Sequence, residues 1–280
     1  MDLSFLFPSI DFVHRFLFFL IYAFVGWSAE EVYCSILERK LVWRGMLLGP
    51  ICPIYGFGGI LIMYILYPLR DTWVWLFLAS MIVTSALEYF SSWLLEKLFH
   101  TQWWDYSDVP FNINGRVCLL NSVLFGLGGL GMWHVMQPFF TRIVYWEPAQ
   151  PYIGLIAGVL AAILTADILV TVRRLVDFNT SLAKFKLLAE QAKERFENEA
   201  WFKPQSASSI IASIREKAKT DSKKFTQKYL EMFNIEEHKR RNLERWFNRF
   251  PKLKSKDYAS TIEHLREELK IRRLEKKSKE

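Results

Sequence analysis

Cysteine is scarce in this sequence, and the common catalytic motifs are absent from it. Its three cysteines, Cys34, Cys52 and Cys118, are too few and odd in number for a disulfide framework. No CxxC or HExxH pair, Walker A motif, nucleophile elbow or dinucleotide fingerprint is present. These absences argue against zinc enzymes, ATPases, serine hydrolases and dinucleotide-dependent enzymes, and we expect neither a metal nor a cofactor.

Basic residues are scarce in the first 173 positions, which contain nine Lys or Arg and 12 Asp or Glu, a net charge of −3. The remaining positions contain 27 Lys or Arg and 17 Asp or Glu, a net charge of +10. This asymmetry predicts two regions in different solvents, a transmembrane domain at 1–173 and a basic cytoplasmic tail at 174–280.

Long apolar runs, in contrast, are abundant in the first region. A membrane span needs roughly 20 mostly apolar residues, and the predicted spans are about 12–36, 47–67, 73–99, 117–139 and 151–172. The first run lacks the basic start and cleavage site of a signal peptide, so we expect it to be retained. The predicted fold class is all-α, a polytopic bundle of about five transmembrane helices with a C-terminal cytoplasmic helical region.

Basic residues in the loops predict the orientation of the spans. The loops after the first and third spans hold five of them: Arg39, Lys40, Arg44, Lys97 and Arg116. The loops on the opposite side hold two, Arg70 and Arg142. Because basic loops stay in the cytoplasm, we predict a multi-pass membrane protein with its N-terminus outside and its tail inside.

Under this orientation the polar residues of the spans fall in one layer near the cytoplasmic leaflet. A carboxylate inside a bilayer costs at least ~2.5 kcal/mol, so Glu30 and Glu88 should face the bundle interior. We expect them to pair with Arg44 and Arg116, in an order that the sequence leaves open. Such pairs either fix helix register or bind a ligand. Asp167, in the fifth span, has no evident partner.

The segment between the third and fourth spans is the most specific local feature. It joins two adjacent tryptophans to an acid, a tyrosine and an Asn-Gly turn signal. A membrane anchor accounts for the tryptophans only, so we expect a loop that is functional or essential for packing. No catalytic residue is assigned. The candidate substrate-binding residues are Glu30, Arg44, Glu88, Trp103, Trp104, Asp105, Tyr106, Asn114, Arg116 and Asn121.

Linked motifs over about residues 10–140 carry a resemblance to a known family. They are Gly26-Trp27-x-x-Glu30-x-x-Tyr33, Arg44-Gly45-x-x-x-Gly49-Pro50-x-x-Pro53-x-Tyr55-Gly56, Glu88-Tyr89, Trp103-Trp104-Asp105-Tyr106-Ser107 and Asn112-x-Asn114-Gly115-Arg116-x-Cys118-Leu119-x-Asn121-Ser122. The chain resembles the bacterial ABC-transporter type IV family, also called CmpB-like permeases. The resemblance implies a transport permease that works with a separate ATPase subunit.

Our leading hypothesis is a permease with a polar, inward-facing pocket between the first four spans. Two alternatives stay open. One is a membrane-embedded enzyme acting on a lipid or polyprenyl substrate, in which Glu30 or Glu88 supplies acid–base chemistry and Arg116 holds a phosphate or carboxylate. The other is a scaffold that recruits cytoplasmic proteins through its tail.

The tail has apolar residues at three- or four-residue spacing, which predicts amphipathic helices. The stripes are Leu182, Phe185, Leu188, Ala192 and Phe196; Ile210, Ile211 and Ile214; Phe225, Tyr229, Leu230 and Phe233; and Leu243, Trp246, Phe247 and Phe250. Such faces form a helical hairpin, a coiled coil between protomers, or a contact with anionic lipid. The expected partners are membrane lipids, a separate ATPase subunit or other cytoplasmic protein, and a second copy of the chain, with nucleic acid disfavoured.

Overall fold

The computed structural model describes residues 11–202, 207–220 and 236–277, and their regular structure is almost entirely helical. The predicted all-α class is thereby confirmed. The helices are α1 (Phe12–Glu38), α2 (Pro53–Ile65), α3 (Trp73–Phe99), α4 (Leu119–Gly131), α5 (Gln137–Val144), α6 (Ile153–Phe196), α7 (Ala207–Thr220), α8 (Glu237–Arg249) and α9 (Ala259–Lys277). One antiparallel hairpin, β1 (Asn112–Ile113) and β2 (Val117–Cys118), precedes α4.

Among the described residues, four helical segments are long and apolar enough to cross a membrane: Phe12–Glu38, Trp73–Phe99, Leu119–Val144 and Glu147–Phe196. The third of these joins α4 to α5 through a wider turn at Met132–Met136. Proline in the first turn of α5 explains this turn, because Pro138 has no N–H to donate to the preceding turn.

The second predicted span, about 47–67, differs from its prediction. Only α2, with 13 residues, is a regular α-helix here. Proline opens α2 at Pro53, where its missing N–H costs nothing, and the residues immediately before it are not helical. At 1.5 Å per residue α2 is about 20 Å long, less than a hydrocarbon core of about 30 Å.

The chain divides into two compact units. The first comprises the residues up to Leu94 together with Trp104–Val172. The second comprises Leu95–Trp103 and the residues from Arg173 onward.

The first unit has its apolar core among the first half of α1, the second half of α2, the start of α3 and the segment around α5. Phe18, Met63 and Leu76 are fully buried there, and Trp133 and Val144 pack with them. The polar residues singled out by the sequence come from the other halves of α1, α2 and α3 and from the start of α4. Each helix therefore has an apolar end and a polar end.

Close packing joins α1 to α2 in the first unit. A Cβ at Gly56 or Gly59 of α2 would collide with Phe19 or Tyr22 of α1, and a Cβ at Gly26 would collide with Tyr55. Helices in lipid associate where small residues let their backbones approach. This approach brings the start of α2 against the second half of α1.

The remaining surface of the spans is apolar and exposed. On α6, for example, Leu155 is 69% exposed, Ile163 60% and Leu169 65%. Contiguous exposed apolar side chains are rare in water-soluble monomers, whereas a bilayer solvates them. The surface of the first unit is therefore typical of a lipid-facing bundle.

The second unit has its own core, which is built around aromatic rings. Leu182, Ile214, Leu243, Trp246 and Leu265 are fully buried in it. The apolar stripe predicted between residues 182 and 196 is buried throughout. The stripe predicted at residues 225–233 lies outside the described residues, and pairing between protomers stays a prediction.

Candidate functional site

Two buried or half-buried carboxylates of the first unit each accept a hydrogen bond from a tyrosine hydroxyl. Glu88 of α3 is 5% exposed, and its Oε1 atom accepts from the Tyr106 hydroxyl at 3.1 Å. Glu30 of α1 is half-buried, and its Oε2 atom accepts from the Tyr55 hydroxyl at 3.2 Å. Tyr55 lies in the first turn of α2 and Tyr106 in the loop after α3, so four segments of chain supply these four groups.

The two acid–tyrosine pairs are neighbours. Glu30 and Glu88 lie within electrostatic range of each other, and Tyr106 is also within range of Glu30. The Asn121 amide of α4 faces the Glu88 carboxylate. We call Glu30, Tyr55, Glu88, Tyr106 and Asn121 the polar cluster. The structure thus brings together four of the ten predicted site residues and adds Tyr55, a residue of the motif that begins at Arg44.

Burial, followed by the adjacent Glu88 carboxylate, raises the pKa of Tyr106 above its ordinary value. The phenol therefore keeps its proton throughout the physiological range. A protonated hydroxyl is a hydrogen-bond donor to the carboxylate at any pH that the cell experiences.

Arg44 contacts the C-terminal part of α1. Its guanidinium forms an ion pair with Glu38 at 2.6 Å, and its backbone N–H donates to the Glu31 carboxylate. Arg44 also lies within electrostatic range of Glu30. The sequence predicted an arginine as the partner of Glu30, but the hydrogen bond described for Glu30 comes from Tyr55.

Arg116 contacts α3 beside the polar cluster. Its Nη1 atom donates to the Ser92 hydroxyl at 3.3 Å, and its guanidinium lies 5.6 Å from the centre of the Tyr89 ring. Ser92 is one helical turn from Glu88, one of the two acids predicted to pair with an arginine. The described hydrogen bond of Glu88 comes from Tyr106. Arg116 therefore holds the hairpin against α3, one helical turn from Glu88.

The hairpin between α3 and α4 turns at Asn114 and Gly115, with φ angles of +53° and +67°. The Arg116 N–H donates to the Ile113 carbonyl at 3.0 Å, which closes a two-residue turn. Two successive positive φ angles define the turn type that favours Asn-Gly. The Asn-Gly turn signal is confirmed, and the Asn114 amide donates to the Tyr89 hydroxyl at 2.9 Å.

The remaining loop residues brace this turn. The Trp104 indole donates to the Arg116 carbonyl at 3.0 Å, and the Tyr106 N–H donates to the Gly115 carbonyl at 2.8 Å. Asp105 accepts from the backbone N–H and the hydroxyl of Ser107, at 3.1 and 2.6 Å. Trp104, Asp105, Asn114 and Arg116 thus position Tyr106, the loop residue that reaches the carboxylate.

Trp103 lies in the second unit, apart from this loop scaffold. It is 1% exposed, and its ring packs edge-on against Trp246 and Phe250, with centroids 5.1 Å away in each case. Phe178 lies 5.9 Å away. The prediction that Trp103 binds substrate is not supported by this position, because its ring is enclosed by apolar side chains.

Asp167 has a role that sequence reasoning missed. Its two carboxylate oxygens accept hydrogen bonds from the backbone N–H groups of Leu48 and Gly49, at 2.8 and 2.7 Å. The Thr171 hydroxyl adds a third at 3.1 Å. Backbone amides carry no signal in a sequence, so only the isolated acid in an apolar span pointed to this contact.

Comparison with known proteins identifies the family. A family model described as "Putative ABC-transporter type IV" matches residues 17–172, more than half of the chain. The chain belongs to this family. The ABC-transporter type IV match continues beyond the residues of the resemblance and ends at Val172, within α6. Together with the apolar helices, it establishes a multi-pass, transporter-like membrane protein. No curated protein and no solved structure matches the chain.

Proposed function

We propose that this protein is a transport permease of the bacterial plasma membrane and that its substrate binds at the polar cluster. The single observation that carries the proposal is the convergence of Glu30 and Glu88, from two different spans, on tyrosine hydroxyls from two further segments. Membership of the ABC-transporter type IV family supports the transport class.

The free-energy cost of placing the polar cluster inside a membrane favours a ligand-binding role over a purely structural one. Polar and ionisable groups inside a bilayer are expensive, and they commonly mark substrate or ion pathways. A register-fixing role is best met by a mutually satisfied ion pair. In the described chain, Glu88 instead has a carboxylate oxygen, Oε2, without a hydrogen-bond donor.

The basic loops support a cytoplasmic position for the cluster. Tyr106 lies in the same loop as Arg116, and Glu30 lies two turns before Arg39 and Lys40. Loops rich in Lys and Arg stay on the cytoplasmic side. We accordingly propose that the site opens toward the cytoplasm and that a separate ATPase subunit drives transport.

Substitution of Glu88 tests this proposal. Cells that lack the native gene would be complemented with the wild-type protein, Glu88→Gln or Glu147→Gln, and their internal and external metabolites compared. Glu147 is a matched control because it is exposed at the start of a short 3-10 helix between α5 and α6. We expect Glu88→Gln to behave like the empty vector at equal protein level, and Glu147→Gln like the wild type. Wild-type behaviour of Glu88→Gln would refute a substrate site at the cluster.

The same strains address the other two hypotheses. An accumulating lipid precursor without a change in exported or imported solutes would favour the membrane-embedded enzyme. Truncation after Arg174 tests the scaffold, because a scaffold loses its function with its tail. A truncated protein that is stably inserted and still transports would contradict the scaffold.

A further inference from the structure

We infer that the polar cluster is a proton-binding site in which Glu30 and Glu88 share one proton. The inference deepens the proposed function, on which it rests, by naming the proton as a ligand of the same site. It follows from the burial of Glu88, the distribution of its hydrogen bonds and the nearness of a second carboxylate.

The two oxygens of Glu88 have different surroundings. Oε1 accepts the Tyr106 hydroxyl at 3.1 Å, whereas Oε2 is buried and has no hydrogen-bond donor among the described residues. An ionised carboxylate with a bare buried oxygen carries a large desolvation cost. A proton on Oε2 removes the charge and leaves Oε1 as an acceptor for Tyr106.

The interactions described for Glu88 with neighbouring elements involve one carboxylate and no cation. The groups that face Glu88 are Glu30 from α1, Tyr106 from the loop and Asn121 from α4. Those that face Glu30 are Tyr55, Arg44, Glu31 and Glu88. The thiols of Cys52 and Cys118 lie near Tyr55 and Tyr106.

These surroundings make the two carboxylates unequal. Arg44 lies within electrostatic range of Glu30, whereas the groups described around Glu88, which is 5% exposed, are Tyr106, Asn121 and the Glu30 carboxylate. Two carboxylates in one site cannot both ionise freely, and the first charge retains a proton on its neighbour. The proton of the pair therefore resides mainly on Glu88.

A proton fits this site better than a metal ion does. Calcium takes six to eight oxygen ligands and magnesium six, with ideal geometry. The described residues contain no group of three or more His, Cys, Asp or Glu side chains that could hold a metal. A proton needs only one acceptor, and Oε2 of Glu88 is that acceptor.

Infrared difference spectroscopy of the full-length protein in lipid tests the inference. A protonated carboxyl group has a C=O stretching band that an ionised group lacks and that shifts in D₂O. We expect this band near neutral pH and its loss on titration toward about pH 9. It should persist in Glu147→Gln, which removes an exposed acid outside the cluster, and disappear in Glu88→Gln.

Tyr106→Phe supplies a second readout that does not require Glu88 to be replaced. It removes the donor that stabilises the ionised carboxylate, so the titration midpoint should move to higher pH by about one unit. Absence of the band in wild-type protein would overturn the inference. So would persistence of the band in Glu88→Gln, or an unchanged midpoint in Tyr106→Phe.

The spectroscopic result is independent of transport. A titrating band in a protein whose Glu88→Gln variant complements normally would uphold the proton site and refute the proposed substrate site. Loss of complementation without any band would refute the proton site alone.

Discussion

Asp167 shows how one side chain satisfies irregular backbone beside an apolar helix. The segment before α2 is not helical, so its N–H groups have no partners within a helix. In a bilayer an unsatisfied N–H costs several kcal/mol. Asp167 accepts from two successive N–H groups, those of Leu48 and Gly49, and the negative charge strengthens both hydrogen bonds.

We expect Asp167→Ala to lower the free energy of unfolding by about 2 kcal/mol, the scale of a hydrogen bond to a charged group. Asp167→Asn should cost less, because its amide keeps one oxygen. Thermal unfolding of the purified protein in detergent measures both. Thr165→Val is the control, since the hydrogen bond described for that exposed hydroxyl lies within α6, to the Ala161 carbonyl. Equal stability of Asp167→Ala and the control would contradict the proposed anchor.

At the scale of elements, α2 is positioned by its glycines. Gly56 and Gly59 allow α1 to approach so closely that the first turn of α2 presents Tyr55 to Glu30. Gly58, between them, has space for a Cβ, with Leu87 at an ordinary 3.7 Å. The three glycines of one short helix therefore differ sharply in what they tolerate.

Gly56→Ala should destabilise the protein by about 1–3 kcal/mol, because a Cβ there overpacks against the Phe19 backbone and ring. Gly58→Ala should be neutral or stabilising, since alanine favours helix by about 1 kcal/mol over glycine. Thermal unfolding of the two single variants, side by side, measures the difference. The close α1–α2 contact would be refuted if both variants unfolded at the same temperature.

At the scale of the whole molecule, the chain contains a lipid-facing unit and a second unit with an aromatic core. The second core centres on Trp103 and Trp246, both fully buried, with Phe178 and Phe250 against them. Trp246→Ala should cost about 3–5 kcal/mol in that unit, as for other buried large-to-small substitutions.

Limited proteolysis of the full chain in membranes measures this effect, because fragments report which unit has opened. We expect faster cleavage beyond Arg173 in Trp246→Ala, with the first unit still protected. Leu187→Ala is the control, since that side chain is 54% exposed on α6. Equal cleavage rates for the two variants would show that Trp246 does not stabilise the second unit.

The sequence predicted more of the fold than of the site. Apolar length identified α1, α3 and α6, because lipid permits only helices whose backbone bonds are internal. The start of α2 could not be predicted from hydropathy, since residues 47–52 are apolar but not helical, and Asp167 accepts hydrogen bonds from Leu48 and Gly49 among them. Charge complementarity predicted arginines as the partners of Glu30 and Glu88, whereas in the structure their hydrogen bonds come from tyrosines. A tyrosine carries no formal charge, so no sign of these contacts is present in the sequence.

Trp103 illustrates a second limit. Adjacent tryptophans in a loop look equivalent in sequence, yet Trp104 braces the hairpin of the first unit while Trp103 is core in the second. Only tertiary packing separates them. The sequence predicted a layer of polar residues from which the polar cluster is drawn, but it did not predict the pairings within the cluster.

The shortness of α2 has a consequence for the membrane itself. A helix about 20 Å long cannot match a hydrocarbon core of about 30 Å without local adjustment. The bilayer beside α2 must thin, or its flanking segments must cover the deficit, because hydrophobic mismatch otherwise remains at the ends of the helix. One of those ends is the start of α2, where Tyr55 meets Glu30. Bilayer thickness thereby becomes a variable that acts on the polar cluster, and short-chain lipids should relieve the mismatch that long-chain lipids impose.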